Sequence, residues 1–251
     1  MMPPITADDP GFDVDRAYDV LAAINARREA QGWRSIGRKI GFTNRTIWAR
    51  YGVYRPMWAP VWSHTVHFAR DTRASLPLAG FVQPRIEPEI VLKLSRSPPM
   101  SDDPVVLLGS VEWIAAGFEI VQSVFPEWKF AAADCTAASG LHGALIVGPS
   151  LAIGMDNSES LAARLATFEL ALSCDGREVD RGGGSNVLGS PLNALAHLVR
   201  LLAAQPRFPQ LGAGEIVTTG TLTDAWPVRR SETWRSDYDA LGVEGLTLHC
   251  N

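Results

Sequence analysis

Apolar residues recur at helical spacing from residue 13 to 31. Val14, Tyr18, Leu21 and Ile24 fall on one face, Asp13 stands where a cap is needed, and Gly32 can end the helix. The stretch "SPLNALAHLVRLLAAQ" predicts a second helix. Ser190 is its cap, Pro191 sits at the first helical position, and Leu192, Leu195, Leu198, Val199 and Leu202 form the apolar stripe. A shorter helix is expected over 104–116, leading directly into "GFEIVQSVF".

Other segments alternate with the period of a strand. In "ATFELALSCDGREVDRG", Phe168, Leu170 and Leu172 alternate with Thr167, Glu169 and Ala171 before the hairpin dipeptide Asp175-Gly176. "EIVTTGTLT" repeats the alternation near the C-terminus. Without internal repeats or a marked linker, the chain reads as one α+β domain. Residues 1–36 form a helical N-terminal region and 37–251 a mostly antiparallel sheet core.

The stretch "RIEPEIVLKL" (85–94) breaks this pattern. Glu87 and Glu89 project from one face of a strand whose other face carries Ile86, Ile90 and Leu92, and Pro88 between them argues for a sheet edge or a bulge. Two carboxylates on one face repel unless a cation or a proton lies between them. Glu119, the only charged residue between Trp113 and Pro126, offers a third. An all-oxygen set of this kind suits Mg²⁺ or Mn²⁺ rather than zinc. The residues alone leave open the alternative of strand-edge charges in water.

Composition narrows the function classes. The 251 residues carry 46% apolar and 20% charged side chains and a formal net charge of −4, which offers no electrostatic case for binding nucleic acid or an anionic membrane surface. No run approaches the length of a membrane span, and the start lacks the pattern of a secretory leader. Cys135, Cys174 and Cys250 have no zinc-type spacing, and their odd number fits reduced thiols and a cytoplasmic location.

Five blocks occur in a recognisable order: "GRKIGFTN" (37–44), "RIEPEIVL" (85–92), "GFEIVQSVFPEWKF" (117–130), "VLGSPLNALAHL" (187–198) and "GEIVTTGTLT" (214–223). Together they resemble the 2-keto-4-pentenoate hydratase and 4-oxalocrotonate decarboxylase branch of the fumarylacetoacetate hydrolase superfamily. The resemblance implies a β-roll core and one Mg²⁺ or Mn²⁺ held by Glu87, Glu89 and Glu119. It implies a 2-oxo or 2-hydroxydienoic acid substrate from aromatic or related catabolism, and a homo-oligomer or a complex with a related family member. Lys39 matches the family's active-site lysine, as a cation for the substrate or as a proton carrier, and Lys129 is placed to contact a substrate carboxylate.

Three departures qualify the resemblance. Met57 stands where the family's "P-D-x-G" segment has its aspartate, Gln122 replaces the aspartate of "EIVDSR", and "AASGLHG" (137–143) replaces "ADNAS", with Ala138 among the lost polar positions and His142 gained. Met57, Trp58 and Trp62 suggest an apolar pocket entrance. His142 is either a general base acting on water at the metal site or a hydrogen-bonded turn histidine. The leading expectation is a metal-dependent lyase. The alternatives are a C–C bond hydrolase or keto-acid decarboxylase that uses His142, or a non-catalytic partner subunit.

Overall fold

The computed structural model describes residues 1–154 and 158–251. Its strands are β1 (Ser35–Gly41), β2 (Met57–Trp62), β3 (Val66–Phe68), β4 (Arg73–Leu76), β5 (Arg85–Leu94), β6 (Val111–Val121), β7 (His142–Ala152), β8 (Glu169–Cys174), β9 (Arg177–Gly183), β10 (Ile216–Thr218), β11 (Trp226–Pro227), β12 (Thr233–Tyr238) and β13 (Leu246–Cys250). The helices are α1 (Ile5–Asp8), α2 (Val14–Ala30), α3 (Trp48–Tyr51), α4 (Pro104–Leu108), α5 (Ala132–Ala137), α6 (Ser158–Thr167) and α7 (Pro191–Ala203).

The larger sheet runs β2-β1-β10-β5-β6-β7-β3, with β11 also paired to β5. Laid flat, seven strands would separate β2 from β3 by about 29 Å at the usual spacing of roughly 4.8 Å. Yet Trp62 ends β2 and Val66 begins β3, a link that spans at most about 15 Å when fully extended. The sheet must therefore curl. Its interior is filled at one end by Val61, Val66, Val91, Ala115, Leu145 and Val147. The second sheet runs β4-β13-β12-β8-β9.

Alternation along β5 and β6 divides the two environments. Ile86, Ile90 and Leu92 of β5, with Ile114, Phe118 and Ile120 of β6, point outward into the main core, alongside α7 and strands of the second sheet. Burying each such side chain contributes roughly 1.5–3 kcal/mol. The intervening residues point into the roll. The α+β class and the β-roll core expected from the resemblance are what the structure has.

The two long predicted helices form as expected. The Asp13 side chain accepts the Arg16 N–H at 2.9 Å and caps α2, and Ser190 caps α7 with Pro191 at its first turn. Tyr18 ties α2 to the roll, because its hydroxyl accepts the Trp58 N–H at 3.0 Å.

The expected helix over 104–116 is wrong beyond Leu108. α4 stops there, and residues 111–121 form β6, hydrogen-bonded to β5 and β7 on its two sides. A strand buried on both faces reads as a continuous apolar run and loses its period-two signature. The strand expected at 215–223 is also cut short. β10 covers only Ile216–Thr218, and the chain then leaves the sheet to wrap the carboxylates.

Pro88 marks neither an edge nor a bulge; it lies mid-strand in β5, opposite Phe118. A strand residue's N–H and C=O point to the same side, and the Pro88 carbonyl accepts the Leu222 N–H at 2.9 Å. Its missing donor therefore faces the gap between β10 and β11, where no ladder bond is lost.

Candidate metal centre

Glu87 and Glu119 are directly opposed across β5 and β6, and Glu89 is opposed to Gly117 on the same face. Each of the three offers a carboxylate oxygen within 4.8 Å of the others. Among the described residues, this is the one group of three or more acidic, histidine or cysteine side chains that converges in this way. Glu89 and Glu119 are fully buried, whereas Glu87 is partly open to the cavity.

Lys39 reaches the cluster from β1. Its strand pairs with β10 (Lys39 opposite Thr218), and β10 pairs with β5 (Thr218 opposite Val91), so Lys39 shares the inward face with the glutamates. Its Nζ lies 2.9 Å from Glu119 Oε2. Burial favours the neutral amine, but Glu119, Glu87 and Glu89 outweigh it and raise the lysine pKa. Lys39 is therefore a retained cation in this cluster rather than an amine poised to lose its proton.

The same field separates the carboxylates. For Glu119, burial opposes ionisation, but Lys39 and then His142 hold the group down to about 2. Burial pushes Glu87 up to about 7, with Glu119 adding to the rise and Lys39 and Arg85 opposing it. Burial raises Glu89 well above the usual carboxylate range, helped by Glu119 and Glu87.

The residues present fit a divalent cation. With all three ionised, three carboxylates against the Lys39 ammonium leave two negative charges to be balanced in a buried setting, by protons or by a cation. Glu89 Oε2 accepts the Gly220 N–H at 2.8 Å, while Glu89 Oε1 is buried without a partner. An orphaned carboxylate oxygen facing two more carboxylates is a hard-oxygen site of the kind Mg²⁺, Mn²⁺ or Ca²⁺ accepts.

Gly220 was hidden in the predicted strand. Its φ of +97° is ordinary only for glycine, and a Cβ there would lie 1.8 Å from Thr43 Oγ1. A glycine interrupting an alternating run was the available signal. The turn Ser139–Leu141 is the other backbone constraint at the site. All three of its residues have positive φ, and a Cβ on Gly140 would sit 3.1 Å from Lys39 Cδ.

The structure does not bring every expected residue to the cavity. His142 is adjacent to Glu119, with Nδ1 2.7 Å from Oε1, and its Nε2 lies 2.8 Å from Thr65 Oγ1. Both ring nitrogens are engaged, and the ring lines separate cavities together with Gln122 and Ser139. It sits behind the Glu119 carboxylate and is not among the residues that line the cavity with Lys39, Glu87 and Glu89. Lys129 is turned to solvent, 79% exposed and 2.6 Å from Glu127, while its neighbours Trp128 and Phe130 line the cavity. Met57 lines the cavity as expected. Trp58 does not, being buried against Tyr18 and Phe208 with its indole N–H on Gln205. Trp62 lines one of the separate cavities beside His142.

Residues 54–247 match the family model described as fumarylacetoacetate (FAA) hydrolase C-terminal. A 4-oxalocrotonate decarboxylase of a Pseudomonas species is 30% identical over 240 residues, covering 96% of this chain and 88% of that protein. A 2-hydroxyhexa-2,4-dienoate hydratase of Comamonas testosteroni is 29% identical over 243 residues, with 96% and 88% covered. A 2-keto-4-pentenoate hydratase of Burkholderia vietnamiensis is 29% identical over 252 residues, with 98% and 90% covered. The structure of 4-oxalocrotonate decarboxylase from Pseudomonas putida G7, complexed with magnesium and adipate, superposes with a TM-score of 0.87 at 24% identity, covering 100% of this chain and 90% of that one. A fumarylpyruvate hydrolase from Pseudomonas aeruginosa, in complex with Mn²⁺ and pyruvate, shares the fold at a TM-score of 0.62 and 16% identity, with 86% and 89% covered.

Proposed function

The chain belongs to the fumarylacetoacetate hydrolase family, and on that premise we propose that it is a divalent-metal-dependent lyase of the hydratase and decarboxylase type. Its substrate is a 2-oxo or 2-hydroxydienoic acid from aromatic or related catabolism, and its metal is Mg²⁺ or Mn²⁺, held by Glu87, Glu89 and Glu119. The observation that carries the reading is the convergence of these carboxylates beside a buried lysine, with Glu89 Oε1 left without a partner. No helix among the described residues is long and apolar enough to cross a membrane.

The bound cation would supply Lewis-acid stabilisation of negative charge developing on the 2-oxygen of the substrate. The chain's own residues do the rest. Lys39, cationic and lining the cavity, binds an anionic oxygen of the substrate and keeps its proton at Nζ, 2.9 Å from Glu119 Oε2. Gly220 fixes the Glu89 carboxylate through its N–H, and His142 fixes Glu119 from behind. Phe42, Met57 and Phe130 give the cavity apolar walls.

Hydration of a vinyl group and loss of CO₂ both pass through charge build-up at the 2-oxygen, so one site serves either outcome. The relatives named above support both, being hydratases and a decarboxylase. The placement of His142 does not favour the C–C hydrolase alternative, and the intact set of Lys39 and three glutamates does not favour a non-catalytic subunit.

The deciding experiment offers 2-hydroxypenta-2,4-dienoate, 4-oxalocrotonate and an acylpyruvate with Mg²⁺, with and without EDTA, to the wild type and to Glu89→Ala. The proposal expects turnover of one of the first two, abolished by EDTA and by the substitution. Turnover of the acylpyruvate alone, or a rate that survives in Glu89→Ala, would refute it.

A further inference from the structure

Behind the metal centre, between α2 and the turn Ser139–Leu141, lie two clefts of about 390 and 210 Å³. Arg28, Gln122, Ser139 and His142 line both, so the clefts meet at these side chains. Leu141 lines the larger cleft on one side and the cavity of Lys39, Glu87 and Glu89 on the other. Ile5, Val20, Ile24, Val124 and Phe125 make much of the larger cleft apolar, and its size is that of a small-molecule site.

Arg28 reaches the junction from α2. It is half-buried, with its guanidinium 4.9 Å over the Trp33 ring and 5.7 Å over the Trp62 ring. Its Nη1 donates to the Ser139 hydroxyl at 3.1 Å. Burial lowers its pKa, and no neighbouring carboxylate opposes that shift.

The groups around this cation are also donors. The Gln122 side-chain oxygen accepts the Val82 N–H at 3.0 Å, which leaves the amide N–H groups without an acceptor among the described residues. The Ser139 hydroxyl accepts from Arg28, and its own proton is likewise not taken up. The Trp62 indole N–H, on the lining of the smaller cleft, is buried without a partner. Asp134 is the one carboxylate among the described lining residues. The Thr6 N–H, the Thr6 hydroxyl and the Ala131 N–H already occupy it. A half-buried cation among unfilled donors calls for an anion.

We propose that these clefts bind a small monocarboxylate, its carboxylate held by Arg28, Gln122 and Ser139 and its apolar chain lying along Val20, Ile24 and Phe125. A guanidinium fork matches a planar carboxylate, and one cation suits one negative charge better than a phosphate dianion. The chain gains by leaving water for apolar walls. The site is separate from the metal centre and needs no metal, because Lys39, Glu87 and Glu89 line neither cleft.

The test is calorimetric binding of hexanoate, and of hexanamide as its uncharged analogue, to the full chain in EDTA. Hexanoate is expected to bind at a single site, about ten-fold or more tighter than hexanamide. Gln122→Glu keeps an oxygen for the Val82 N–H and sets a negative charge against the bound carboxylate. It is expected to weaken hexanoate about ten-fold or more and to leave hexanamide unchanged. Arg28→Gln, checked for folding by circular dichroism, is expected to show the same loss. Equal binding of acid and amide, or an acid affinity that survives both substitutions, would overturn the proposal. Hexanoate binding that appears only with Mg²⁺ would place the acid at the metal centre and overturn it as well.

Discussion

Glu87 and Glu119 occupy directly opposed positions on neighbouring strands, so their carboxylates share one side of the sheet. Like charges in that relationship destabilise a sheet, and more so away from water. Lys39 relieves only part of the repulsion, and it does so chiefly for Glu119, the carboxylate held ionised. Glu87 and Glu89 respond instead by holding protons more tightly.

Metal binding should therefore stabilise the fold. At a free metal concentration one hundred times its Kd, a ligand specific for the native state adds about 2.7 kcal/mol. For a chain of this size that corresponds to a Tm rise of roughly 5–10 °C. Glu89→Gln is expected to lose the rise while unfolding, without metal, at or above the wild-type temperature. A wild-type Tm unaffected by Mg²⁺ and Mn²⁺ would contradict the site.

The protons on Glu87 and Glu89 make both stability and metal affinity depend on pH. Between 4.5 and about 7, the metal-free folded chain keeps a proton on Glu87 that the unfolded chain has released. The stability contribution of this group thus falls as pH rises through that window. Glu119 behaves oppositely. Its contribution is present above 4.5 and is lost as pH falls toward 2. Thermal melts from pH 5 to 8 should show a flatter profile for metal-free Glu87→Gln than for the wild type. Titration calorimetry should show Mg²⁺ affinity climbing from pH 5.5 to 7, and a flat profile would argue against protons competing for the site.

His142 touches Glu119 and not the cavity, so its effect should appear in metal affinity. His142→Ala is expected to weaken Mg²⁺ binding about 10–100-fold, with kcat recovering once the metal is raised to saturation. His142→Asn, which can still donate a hydrogen bond, should lose less. A kcat that stays low at saturating metal would restore the general-base role.

Gly220 cannot be replaced without cost. An Ala side chain would need the unfavourable left-handed conformation and would collide with Thr43, whose hydroxyl is held by the Thr219 carbonyl. Gly220→Ala is expected to destabilise the protein by more than about 1 kcal/mol and to weaken metal binding, because its N–H orients Glu89. Denaturant melts and metal titration of the variant measure the two effects; an unchanged variant would show that the loop is not constrained.

Much was legible in the chain because it follows from local backbone geometry. Caps at Asp13 and Ser190 announce α2 and α7, since a helix must satisfy its first N–H groups from nearby side chains. In a strand, the i, i+2 spacing places Glu87 and Glu89 on one face whichever strands flank it. The Asp175-Gly176 hairpin is equally local, with both residues at positive φ.

Other features depended on neighbours that local pattern does not reveal. β6 resembled a helix because the main core covers one of its faces and the interior of the roll the other. Pro88 is tolerated in an inner strand only because the chain leaves the sheet between β10 and β11. The orientation of Lys129 toward solvent, and of His142 behind Glu119, depends on cross-strand register and the curl of the roll. By itself, the sequence determined the kinds of chemical group at the site and the pairing of two of them, because backbone periodicity acts over a few residues. Only the tertiary structure decided which groups share the cavity, because that depends on long-range strand pairing closing a seven-strand path into a roll.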